Sequence, residues 1–203
     1  MPDFTIRCRQ ESHLMSSNSL AKWKGERTDA LDEIENAHTV VGGTARGRRY
    51  ATQQINYSYA ALLSSHFQGF CRDLHSECVD RIVAAMPLKF QAFLRAEFLL
   101  NRALDKGNPH PGAVGSDFDR LGLHFWPNVK HLNAGNARRS QLLQELIDWR
   151  NAIAHQDFGP VGGDPTLHLK KVRAWRRALG KLALEFDQTM CNHLAVLLGA
   201  PPW

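Results

Sequence analysis

Ile55, Tyr59, Leu62, Leu63, Phe67, Phe70, Cys71, Leu74, Cys78 and Ile82 follow one another in steps of three and four. Such steps put side chains on one face of an α-helix. The stripe runs through residues 51–86 until Pro87 stops it. Val172, Trp175, Leu179, Leu182 and Phe186 repeat the same spacing within residues 165–198 and make a second core stripe. Helical patterns with short joints and no strand pattern point to an all-α class. The expectation is a helical bundle of four to five helices with long second and last helices.

The remaining segments fill in that bundle. Residues 19–37 carry Leu20, Trp23, Leu31 and Ile34 on one potential face, with Gly25 weakening the helix. VVGGTARGRRY, residues 40–50, reads as a basic connector. A phosphate-binding loop is disfavoured there, because no Lys-Ser/Thr follows the last glycine and no strand leads in. A helix is expected over 88–104, ended by Gly107, Asn108 and Pro109. Residues 109–137 read as irregular with one short helix. The next helix starts at Arg138 or Ser140, with Ser140 as N-cap, and ends at Gly159-Pro-Val-Gly-Gly. The expected division is an N-terminal helical extension and basic loop over 1–49, then a helical domain over 50–203. No internal repeat and no strand pattern is present.

A chain of 203 residues, 43% hydrophobic and 22% charged, suits a folded domain rather than a disordered one. No run approaches the roughly 20 apolar residues of a membrane span. MPDFTIRCRQESHL lacks the apolar middle of a signal peptide, so the expected location is cytoplasmic. Cys8, Cys71, Cys78 and Cys191 form no CxxC pair and are expected as reduced, buried thiols. The net charge of +5 favours an anionic partner such as nucleic acid.

Three clusters could carry chemistry. Cys71, His75 and Cys78 share a helix face and could ligate zinc, but the cysteines continue the apolar stripe, so a core role is preferred and no metal or cofactor is expected. Ser64 or Ser65 with His66 is a poor nucleophile pair, since adjacent helical residues diverge. LIDWRNAIAHQDF, residues 146–158, is the third. Asn151 and His155 are i, i+4 neighbours, so Asn151 can reach the imidazole or a substrate oxygen beside it. Arg150 and His155 lie about 140° apart around the axis. A long arginine can swing toward the groove, and two copies about a two-fold axis could share a cleft. An ordinary helix end accounts for the same residues, because an arginine and a histidine there meet the negative end of the helix dipole.

RNAIAH resembles the R-x4-6-H motif of HEPN domains, with the polar residue that catalytic members carry after the arginine. LLQELIDWRNAIAHQ, residues 142–156, is similar to the RiboL-PSP-type branch, and YSYAALLSSHFQGFCRDLH resembles that branch's long upstream helix. Gln156 stands where relatives often have glycine. The resemblance spans 50–86 and 140–198. It implies a metal-independent endoribonuclease acting as a homodimer, with Arg150, Asn151 and His155 catalytic. The 2′-OH of RNA would attack the adjacent phosphate, leaving a 2′,3′-cyclic phosphate and a 5′-OH. An imidazole can take or give the proton near neutral pH, and a guanidinium can hold the phosphate oxygens. It further implies a toxin or abortive-infection effector of bacterial defence, with an antitoxin or other defence-system protein as partner. Arg138, Arg139, Lys170, Arg173, Arg177 and Lys181 could hold an RNA backbone without reading sequence. The alternative expectation is a non-catalytic dimeric helical module that binds nucleic acid, nucleotide or a protein partner.

Overall fold

The computed structural model describes residues 16–42 and 50–203. Cys8 and most of the expected basic connector lie outside them. Every regular element among the described residues is helical, as the apolar periodicity predicts. In chain order these are α1 (Asn18–Lys22), a π-turn (Trp23–Arg27), α2 (Thr28–Gly42), α3 (Tyr50–Ala84), α4 (Leu88–Leu99), α5 (Ala103–Lys106), α6 (Pro111–Asp119), α7 (Phe125–Leu132), α8 (Asn136–His155), a 3-10 turn (Gly159–Val161) and α9 (Leu169–Leu198). This is more separate helices than the four or five expected.

α3 is the spine. Tyr59, Leu63, Phe67, Phe70, Cys71, Leu74 and Cys78 on its stripe are fully buried. α2, α8 and α9 pack along it. An aromatic cluster fills the centre: Phe67, Phe118 and Phe125 surround Phe186, with ring centroids 4.8–6.4 Å from it. α8 and α9 run antiparallel, since Trp149 meets Trp175 near one end and Arg139 meets Glu185 near the other.

Residues 16–42 pack into the same core. Leu20, Trp23 and Leu31 are buried, and Trp23 packs against Phe67 with centroids 5.7 Å apart. Gly25 departs from helical geometry (φ −95°, ψ −109°), so the expected single helix bends there. α2 is fixed by charge: Arg173 donates to Glu35 at 2.6 Å and Arg176 to Asp32 at 2.7 Å. Tyr59 donates to Glu35 at 2.8 Å. Burial and that bond push the Tyr59 hydroxyl up to about 12. Burial alone would raise Glu35, but its bonds to Tyr59 and Arg173 outweigh it and hold the carboxyl low.

Two expectations are corrected. The helix expected over 88–104 breaks at Asn101, which has φ 55°. Its continuation α5 is capped from a distance: the Asp117 carboxylate accepts from Ala103 N and Leu104 N, both at 2.8 Å. The stretch expected to be irregular holds α6 and α7. Pro111 occupies the first turn of α6, behind an N-cap made by His110, and Pro127 the first turn of α7. A first-turn N–H has no partner in the helix anyway, so proline there costs little.

Candidate functional site

α8 begins at Asn136, earlier than the expected Arg138 or Ser140, and Ser140 is not its N-cap. Asn136 itself is buried and donates to Val129 O at 2.8 Å. Leu143, Leu146, Ile147, Trp149 and Ala152 turn inward and hold the helix on the core. Arg150 and Asn151 are half-buried, while His155, the last helical residue, is exposed. Among the described residues His155 has no hydrogen-bond partner.

Arg150 Nη1 donates to Asn151 Oδ1 at 3.3 Å. Asn108 Nδ2 donates to the same oxygen at 2.7 Å. Asn151 is therefore tied to Arg150 and to Asn108 rather than to His155, the partner its spacing suggested. Asn108 had no local signal, because only folding brings the turn before α6 against α8. The guanidinium and the two amides are brought together and can hold an anion, whereas the exposed imidazole one turn on is bonded to none of them.

The chain beyond His155 is pinned. Gln156 turns it with a left-handed backbone (φ 55°, ψ 30°). Phe158 then stacks on Tyr57 (centroids 5.8 Å) and leans on Trp149 (6.2 Å). Tyr57 Oη donates to Pro165 O at 2.5 Å, and Asn56 Nδ2 to Leu167 O at 2.8 Å. The imidazole thus sits at the rim of a fixed loop.

The six candidate cations divide. Lys170, Arg177 and Lys181 are exposed, and no ion pair engages them among the described residues. Arg173 is engaged by Glu35. Arg139 donates to Asn136 Oδ1 at 2.5 Å and lies 3.8 Å from Glu185. Arg138 donates to Gln141 at 3.1 Å. Arg138 and Arg139 lie in the first turn of α8, about 25 Å along the axis from His155 at 1.5 Å per residue. Lys170 opens α9, whose antiparallel path brings it beside the C-terminal half of α8.

The Cys71, His75 and Cys78 cluster falls in the core. Cys71 and Cys78 are free, fully buried thiols, and burial pushes both well above the ordinary thiol range. His75 is buried edge-on to Phe118 (5.4 Å), and its Nε2 lies 3.1 Å from Asp117 O. Burial, aided by the Arg102 charge, lowers it to about 4. Ser64 is buried, whereas Ser65 is exposed. No group of three His, Cys, Asp or Glu side chains arranged to hold a metal occurs among the described residues, and no helix there is long and apolar enough to cross a membrane. The chain matches no model of a known protein family, no curated protein and no solved structure.

Proposed function

We propose that this chain is a metal-independent endoribonuclease of HEPN type, its helices forming a bundle that works as a homodimer. The observation that carries the reading is the end of α8. There a half-buried Arg150–Asn151 pair is fixed by Asn108, and one turn on an exposed His155 has no partner among the described residues. In the reaction, neutral His155 of one protomer takes the proton of a 2′-OH. The oxygen attacks the adjacent phosphorus, and the bond to the 5′-oxygen breaks. The leaving oxygen takes a proton from a protonated imidazole of the second copy. Arg150 holds the phosphate oxygens as charge builds on them, and Asn151 orients Arg150. Lys170 and Arg177, with Arg138 farther along, hold flanking phosphates.

The biological setting that goes with this reading is a cytoplasmic toxin or abortive-infection effector with a neutralising protein partner. Its test is incubation of wild type and His155→Ala with RNA in EDTA, followed by identification of the ends. Cleavage to 2′,3′-cyclic phosphate by wild type alone is expected. The second reading, a binding module without chemistry, draws on one observation: among the described residues no hydrogen bond orients the His155 imidazole, while Arg150 and Asn151 are held. Binding without cleavage by wild type would select it.

A further inference from the structure

α4 has no buried residue. Met86, Leu88, Phe90, Phe93 and Leu100, on it and at its ends, are exposed by 39–84%. Leu88 lies about 140° round the axis from Phe93; the others leave roughly 400 Å² of apolar area open on the Phe93 side, within the range for the largest patch on a monomer. A standard interface takes roughly 800 Å² from each partner, so this one face supplies about half of it. The helix is not loosely attached. Arg95 pairs with Asp80 of α3 at 2.7 Å, and Arg120 donates to Glu97 O and Leu100 O at 2.6 and 2.8 Å, closing its C-terminal end.

We infer that this face binds a second copy of the same chain, with two α4 helices antiparallel about a two-fold axis at Phe93. The order of residues carries the assignment. A two-fold contact must be self-complementary: what lies ahead of the axis on one helix faces what lies behind it on the other. Lys89 and Glu97 lie four residues either side of Phe93, so each lysine faces a glutamate, twice over. Phe90 and Ala96 lie three residues either side, so a large side chain faces a small one. Neither Lys89 nor Glu97 is ion-paired within the chain among the described residues, whereas Arg95 is.

This contact is separate from the pairing of motif helices proposed above. α4 packs chiefly on the far end of α3, and Asp80 lies about 35 Å along that helix from Tyr57, where the loop after His155 is held. Pairing through α4 leaves the α8 end open.

Sedimentation equilibrium on the full chain tests it. Wild type is expected as an even-numbered assembly. Phe93→Glu is expected to halve its mass at the same concentration, with an unaltered far-ultraviolet circular dichroism spectrum. Lys89→Glu or Glu97→Lys alone is expected to weaken the association about tenfold, and the two together to restore it. A wild-type mass of one chain at every concentration, or a Phe93→Glu mass equal to wild type, overturns the inference. So does a double exchange no better than either single one. Binding of a monomeric chain to phosphatidylcholine–phosphatidylserine vesicles, lost in Phe93→Glu, would also overturn it by assigning the face to a membrane surface.

Discussion

Gln156 holds a backbone conformation in which a β-carbon crowds the preceding carbonyl and glycine does not (φ 55°, ψ 30°). It closes α8 one residue after His155. Gln156→Gly is expected to stabilise the fold by about 0.5–1 kcal/mol, offset in part by loss of the exposed bond from Gln156 Nε2 to Ile153 O. Gln156→Val, branched at Cβ, is expected to cost more than about 1 kcal/mol. Urea unfolding of both variants measures the difference. His75 makes a pH-dependent contribution at the same scale. Burial lowers it to about 4 in the folded chain from an ordinary 6.5. As pH falls through 6.5 the unfolded chain takes up a proton that the folded chain does not. Stability from this residue is therefore full above about pH 6.5 and falls between 6.5 and 4, by up to about 3 kcal/mol. Urea titrations across that window are expected to show the slope in wild type and a shallower one in His75→Gln.

Between elements, close approach decides what is tolerated. A Cβ on Gly115 of α6 would meet Trp126 Cδ1 at 2.8 Å, and that indole is held by its bond to Pro111 O at 2.7 Å. Gly115→Ala is expected to lose about 1–2 kcal/mol, overpacking outweighing the gain in helix propensity. Gly180, in the middle of α9, has open space around it, so Gly180→Ala is expected to gain up to about 1 kcal/mol. Thermal unfolding of the two variants, side by side, tests the contrast. The same scale explains what could be read from the residues. α3 and α9 were legible because each carries an uninterrupted stripe that only one geometry can bury. α6 and α7 were not, because Pro111 and Pro127 look like breakers and are tolerated only by falling in first turns. The start of α8 was missed because Asn136, Ala137, Arg138 and Arg139 announce no apolar face. The break at Asn101 was not legible because the Asp117 carboxylate that caps the helix after it arrives from elsewhere in the chain. At the candidate site, Asn151 and His155 could be placed on one face by spacing alone. The bond from Asn108 could not, since it depends on where α5 and α6 deliver the turn between them.

For the whole molecule, the functional reading joins one end of α8 to a basic outer face on α9. Lys170, Arg177 and Lys181 carry charge that no ion pair engages among the described residues, and contacts to RNA phosphates release counterions. Replacing all three with glutamine is expected to weaken binding to single-stranded RNA regardless of sequence. It is also expected to reduce the slope of log affinity against log salt by about 2, a change that fluorescence anisotropy at several salt concentrations measures. Arg173→Gln is expected to act chiefly on stability, because its partner is Glu35. The central claim concerns His155, and the most direct measurement compares wild type and His155→Ala in EDTA. The substrates are two oligonucleotides, one all-ribose and one with its 2′-hydroxyls replaced by hydrogen. The account predicts that wild type cuts only the all-ribose strand, leaving a 2′,3′-cyclic phosphate, while His155→Ala folds normally and cuts it about a hundredfold or more slowly. Equal cleavage by the two proteins, cleavage of the deoxy strand, or no cleavage by wild type would contradict it.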